Sequence, residues 1–359
     1  MSPPRLVLAI ETSCDETAAS VVGTGRVVRS SIVASQHELH AEYRGVVPEI
    51  ASRAHAERIL PVVRGALDAA SVAPGDVHAV AVGHRPGLIG SLLVGVGAAK
   101  ALALTLGVPL IGVDHVHAHL YAPLLGAAPV RLPALGLVVS GGHTALYRIE
   151  RWEPHGLTRL GSTIDDAVGE AYDKAATILG LPFPGGPLVD RLAADGDARA
   201  VDLPVSRLAP RSLDFSFSGL KTALLYAAHG VPTREGDPPR SLPPTVDGRR
   251  RADLCASFQR AAIGAVMLKL RRGLGQWDRR GGDAPAVLVG GGVSANSLLR
   301  AELDRLRSEG VEVRAPAMEF CIDNAAMIGG LAHEYLDAGH VSGLGLEAMP
   351  TTGTEEAAA

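Results

Sequence analysis

His115 and His119 stand four residues apart in DHVHAHLYAP. On a helix that spacing stacks two imidazoles on one face about one turn apart, within reach of a single metal ion. A third ligand must come from elsewhere in the chain. Asp323, in FCIDNAAM, lies between an apolar stretch and a small-residue helical stretch. It is the candidate carboxylate of a two-histidine, one-carboxylate centre with open coordination positions. Such a centre acts on a bound group, whereas a fully ligated one only staples a fold. The competing reading is a pair of surface histidines at helical spacing.

Two glycine turns accompany these residues. SGGHT, at 140–144, sets Ser140, Gly141 and Gly142 where a backbone can approach an anion closely. GGGVSAN, at 290–296, repeats the arrangement at a strand-to-helix turn, where a helix N-terminus favours negative charge and Asn296 is a candidate for reading a ribose or base. A plain tight turn is the alternative. Neither loop carries the lysine of GxxxxGK followed by Ser or Thr, which argues against Walker-type ATP hydrolysis. Further acids are spaced suggestively. Asp166, Glu170 and Asp173 share one face of an expected helix, with Asp165 beside them and Asp190 on the next helix after the PGGP turn at 184–187. They either bind ribose hydroxyls or form a solvated face. Asp15 and Glu16, in SCDET, fall in a turn suited to electrostatic or proton-transfer work, or to capping.

The elements that must position these groups come in pairs. Residues 6–22 read as apolar strand, polar turn and returning strand, and residues 135–149 repeat that pattern. Residues 77–103 and 284–306 each read as buried strand, glycine turn and helix. The expectation is a diverged duplication: an α/β, actin-like (ASKHA, ribonuclease H-like) two-lobe fold whose turns face a central cleft. Residues 1–126 with about 324–340 are assigned to the first lobe, and 127–323 to the second, with the crossing at 122–133. A Pro/Arg-rich loop is expected at 230–251 and a disordered tail at 341–359.

Composition agrees with this layout. A chain of 359 residues suggests about two domains, and 47% hydrophobic with 20% charged residues is ordinarily globular. The net charge of -4 argues against a protein that coats nucleic acid by charge alone, yet leaves nucleotide or tRNA substrates open. Three cysteines without CxxC spacing indicate neither a disulfide framework nor a cysteine zinc knuckle, so a reducing cytoplasm is expected. The N-terminus lacks a basic leader segment and no uninterrupted apolar stretch approaches about 18 residues, so neither export nor a membrane span is expected.

Taken together, IETSCDETAAS, VPEIASRAH, RPGLIGSLLVG, DHVHAHLYAP, LVVSGGHTALY, IDDAVGEAYDK, PFPGGPLVDRLA, DFSFSGLKTA, GGGVSANSLLR and FCIDNAAMI resemble the TsaD family of tRNA threonylcarbamoyladenosine enzymes over nearly the whole chain. Members of that family were once described as O-sialoglycoprotein endopeptidases. The resemblance implies an actin-like fold and transfer of a threonylcarbamoyl group from threonylcarbamoyl-AMP to the exocyclic amine of the adenosine following the anticodon. It implies one divalent metal ion per subunit, iron or zinc, on His115, His119 and Asp323. It implies adenylate contacts through Val138, Val139, Ser140, Gly141 and Gly142, with Asp173, Gly186, Asp190 and Asn296 on the nucleotide, and a catalytic contribution from Asp15 and Glu16. The implied partners are tRNA, a TsaB paralogue and a TsaE ATPase, with the donor made by a TsaC-type synthase.

The chain departs from the family pattern at His84 and Arg85, which stand where small residues usually precede the PGL turn. His117 lies between the two ligand histidines and points off their face. Two other classes compete. A metal-dependent glycoprotein endopeptidase would use the histidine pair, but Val116 follows His115 and HExxH is absent. An actin-like ATPase or sugar kinase would use the duplicated hairpins with magnesium and needs no histidine pair.

Overall fold

A computed structural model describes residues 5–43, 45–231, 246–278 and 284–351. Its first sheet is built from β1 (Leu6–Glu11), β2 (Glu16–Gly23), β3 (Val27–Ser35), β4 (Ala79–Arg85) and β5 (Leu110–Asp114), in the order β3-β2-β1-β4-β5. The second contains β6 (Ala134–Val139), β7 (Thr144–Ile149), β8 (Leu157–Ser162), β9 (Val287–Gly290) and β10 (Val313–Arg314), in the order β10-β9-β6-β7-β8. Read from the hairpin edge, both sheets run third, second, first, fourth, fifth. In each, the first two strands pair antiparallel and the fourth joins the first in parallel. The repeated sequence patterns are thus one topology used twice. The central strands β1 and β6 are covered on both faces, which is why they read as unbroken apolar runs rather than alternating ones.

Ten helices complete the described chain: α1 (His37–His40), α2 (Pro48–Ala70), α3 (Ile89–Leu106), α4 (His115–Tyr121), α5 (Val168–Ile178), α6 (Gly186–Ala193), α7 (Ser218–His229), α8 (Gly248–Asp278), α9 (Ser297–Ser308) and α10 (Ala325–Asp337). Helices α2 and α3 cover the outer face of the first sheet, while α5 to α9 cover that of the second. Between the sheets, α4 and α10 pack together and share a core with Val7, Ile111, Val138 and Leu288. They occupy matching places, since α4 follows β5 and α10 follows β10. Both are capped by a side chain: Asp114 Oδ1 accepts from the Val116 and His117 amides at 2.9 and 3.3 Å, and Asn324 Oδ1 accepts from Met327 N at 3.0 Å.

Three expectations need correction. The basic triplet Arg249, Arg250 and Arg251 is not loop but the first turn of α8, because Asp247 Oδ1 accepts from Arg250 N at 2.7 Å and starts the helix ahead of it. Residues 232–245 of the expected loop lie outside the described residues. Nor is all of 341–359 a disordered tail. Ser342 N donates to Leu110 O at 2.7 Å, Leu346 packs on Gly112, and Met349 N donates to His84 O at 2.9 Å, so residues 342–349 run along the β5 edge. Residues 352–359 lie outside the described ones. Finally, α3 is long and apolar enough to cross a membrane by length and composition, despite Ser91, Lys100 and Thr105. Its Val96, Ala99 and Ala103 stripe packs into the core of the first sheet.

Candidate metal centre and nucleotide cleft

The short helix α4 sets His115 and His119 with ring centroids 4.6 Å apart. Asp323, just ahead of α10, brings Oδ1 to 3.1 Å from His119 Nε2 and 3.6 Å from His115 Nε2. One ligand atom from each lies within 4.8 Å of the others. Both imidazoles are buried, which rules out a pair of surface histidines. His119 faces the carboxylate, yet neither ring nitrogen makes a well-directed hydrogen bond among the described residues. Two imidazole nitrogens and one carboxylate oxygen converging without satisfying one another suit zinc or ferrous iron. Burial would lower the His115 pKa, but the Glu11 and Asp323 carboxylates outweigh it and push it up to about 9. Burial and His115 together lower that of His119. Asp323 is held well below the usual carboxylate range, since the two imidazoles overcome its burial.

Glu11 was not anticipated. It is fully buried at the end of β1, with Oε2 3.2 Å from His115 Nδ1 and Oε1 accepting from Ser13 N at 2.6 Å. Ser13 Oγ lies equally close to His115 Nδ1, at 3.2 Å, and acceptors on that side favour the tautomer that leaves Nε2 free to bind metal. The available signal was an acid closing an otherwise apolar strand in LVLAIE. His117 turns toward Tyr147, with ring centroids 5.9 Å apart, and stays out of the centre as expected. The charge brought by Arg85 is absorbed locally, because its Nε lies 3.2 Å from Asp114 Oδ2.

The glycine turns close around α4. A Cβ on Gly290 would occupy the space of the His119 carbonyl, and Gly291 has a φ of 95° that other residues rarely adopt. In the first turn, Ser140 N donates to His143 O at 2.8 Å and Ser140 Oγ accepts from His143 N at 3.0 Å, which leaves Gly141 and Gly142 exposed at the tip. Burial, with His115 and His119 nearby, lowers the His143 pKa to about 4. Val138 and Val139 are wholly buried, in separate cores, so their side chains do not line a cleft and only their backbone can meet a ligand.

Asp173 meets Gly186, and Asp190 meets Asn296, as two contact pairs among the helices that cover the second sheet. Asp173 Oδ1 accepts from Gly185 N at 2.8 Å and Gly186 N at 3.3 Å, holding the start of α6. Burial raises its pKa against those two bonds. Asn296 caps α9 through Leu299 N at 3.0 Å, while its Nδ2 donates to Gln259 Oε1 at 2.8 Å and Asp190 Oδ1 at 3.1 Å. Asp190 also accepts from Ser297 Oγ at 2.6 Å. The other acids do not join them. Asp165 and Asp166 precede α5 rather than lying on it: Asp165 accepts from Ser216, Phe217 and Ser218, and Asp166 pairs with Lys174 and Lys221. Glu170 meets Lys174 at 2.8 Å.

Asp15 closes the β1–β2 turn and Glu16 opens β2, both buried. A residue not singled out from the sequence, His37 at the start of α1, lies against them. Its Nε2 is 3.1 Å from Glu16 Oε1 and 3.6 Å from Asp15 Oδ2. Its ring meets Phe183, just ahead of the PGGP turn, edge-on at 6.3 Å.

A repeated five-stranded topology, with a buried donor set between the sheets and glycine turns beside it, defines an actin-like two-lobe α/β protein whose central His115, His119 and Asp323 could hold a metal ion. HypF from T. kodakarensis shows the same fold at a TM-score of 0.58 and 14% identity, over 94% of this chain and 48% of that one. The sequence profile of the tRNA N6-adenosine threonylcarbamoyltransferases, TsaD, matches residues 27–330, and the chain belongs to that family. The enzyme of that name from Pelobacter propionicus is 48% identical over 347 residues, and that from Trichlorobacter lovleyi 49% over 350, each alignment covering 96% of both chains.

Proposed function

We propose that this protein transfers the threonylcarbamoyl group of threonylcarbamoyl-AMP to N6 of the adenosine following the anticodon, in tRNAs reading codons that start with A. The donor is a mixed anhydride, so its carbonyl carbon is already activated and adenylate is a good leaving group. Orientation and charge stabilisation are what the protein has to supply. The exposed Gly141–Gly142 tip and the Gly291 turn hold the adenylate phosphate. Asp190 and Asn296, organised by one another, meet the ribose or base. As N6 attacks and the carbon–oxygen bond to phosphate breaks, the amine proton passes to Glu16 or Asp15.

His115, His119 and Asp323 would hold one iron or zinc ion, which when bound polarises the threonylcarbamoyl carbonyl as a Lewis acid. The convergence of these three residues beside the glycine turns carries the reading. It extends to a TsaB paralogue and a TsaE ATPase as partners, a TsaC-type synthase as source of the donor, and the cytoplasm as location. The test is reconstitution with threonine, bicarbonate, ATP, the partner proteins and tRNA, followed by nucleoside analysis. His115→Ala should form no modified nucleoside while melting like the parent; parental modification by that variant would remove the metal from the reaction.

A further inference from the structure

Glu16 is buried, so a proton it receives needs a way out, and its ionised form needs a counter-charge. His37 offers both. The imidazole sits 3.1 Å from Glu16 and 3.6 Å from Asp15, and its side chain keeps 43% of its surface open to solvent. The charged and titratable groups around it are Glu16 and Asp15 from the β1–β2 corner, Asp173 from α5 and His40 from its own helix. Phe183 supplies an apolar edge. Three carboxylates therefore face this ring, against one other imidazole. The charges of Asp323 and Asp15 both disfavour the ionised form of Glu16, and Ser35 Oγ lies 3.4 Å from it.

We propose that His37 is a positioning residue for the transfer reaction: as an imidazolium it favours the ionised form of Glu16 that accepts the amine proton, and it then passes a proton from that pair to solvent. No atom is gained or lost in the relay. The proton leaving N6 binds the Glu16 carboxylate, and one proton departs from His37 Nε2 or Nδ1 to water. This rests on the proposed function. Burial pushes the Glu16 carboxyl up to about 8, with His37 as the main opposing influence, and the bond to Glu16 raises His37 in return. Without the imidazolium, ionising Glu16 requires a higher pH.

The experiment is the pH profile of single-turnover transfer from preformed threonylcarbamoyl-AMP to tRNA, using the metal-loaded protein with its partners. His37→Asn should move the rising limb up by about one pH unit, about tenfold slower near neutrality, with the parental rate regained at high pH. His37→Lys, which restores a cation, should return the limb toward the parental position. Metal content and melting temperature should match the parent in both. A superimposable His37→Asn profile, an equal loss at every pH, or a Lys variant no better than Asn overturns the proposal. Glu16→Gln separates this from failure of the underlying reading, because an unimpaired Glu16→Gln enzyme would dismiss Glu16 as proton acceptor whatever His37 does.

Discussion

Glu11 Oε2 and His115 Nδ1 lie 3.2 Å apart, one at the end of the central strand of the first sheet and the other at the start of the helix between the sheets. The contact orients the imidazole from behind and raises its basicity, as carboxylates paired with ligating histidines commonly do. Glu11→Gln should weaken zinc binding by about tenfold to a hundredfold. Competition against a chromophoric chelator measures it, and unchanged affinity would count against this role.

Gly290 separates packing from propensity. Gly290→Ala should cost about 3 kcal/mol or more and displace α4, because neither the strand nor the His119 carbonyl has room to yield. Gly275→Ala, on an exposed face of α8 with open space around it, should instead stabilise by about 0.5–1 kcal/mol. Denaturant midpoints decide, and equal effects at the two sites would refute the close approach.

Asn296 does two jobs, capping α9 and donating to Asp190 and Gln259. Asn296→Ala should cost about 2 kcal/mol, from the lost cap and the buried acceptors left without a donor. Nucleotide affinity should fall with it. A loss below about 0.5 kcal/mol would match an ordinary surface turn.

Buried histidines should make part of the stability acid-sensitive. Burial lowers the pKa of His55, His84 and His333 below the ordinary 6.5, so each is held neutral in the folded chain. The unfolded chain takes up protons at these groups once the pH drops below about 6.5, which opposes folding, whereas Glu16 and His115, both raised in the folded chain, favour it over the same range. The share of one histidine is isolated by a variant: between pH 7.5 and 5.5 the urea midpoint of His333→Gln should fall less, or rise more, than the parent's; an identical pH dependence would contradict the assignment.

Removing residues 342–359 should lower the melting temperature by several degrees, because Ser342, Leu346 and Met349 close the β5 edge. An unchanged melting curve is what a disordered tail would give.

The contrast between what sequence reveals and what it hides follows from range. The hairpins at 6–22 and 135–149 were legible because strand, turn and strand are adjacent and their central strands are unbroken apolar runs. His115 and His119 were legible because a helix places them on one face, and Asp323 because its flanks suggested a helix start. Glu11 and His37 act through partners far along the chain, and nothing in LVLAIE or SQHELH states which side chains will face them. Asp166 looked like part of an acidic helix face because periodicity ignores where a helix begins, and the helix starts at Val168. The 342–349 segment lacks apolar periodicity because it is anchored mainly by backbone bonds, which composition does not register.

The chain passes between its two sheets through α4 and again through the segment leading into α10, and all three ligand residues sit on those passages. A cation held there would clasp the two crossings to each other, so that neither could loosen without the other. Hydrogen exchange should accordingly slow together around 115–121 and 325–337 when zinc is added.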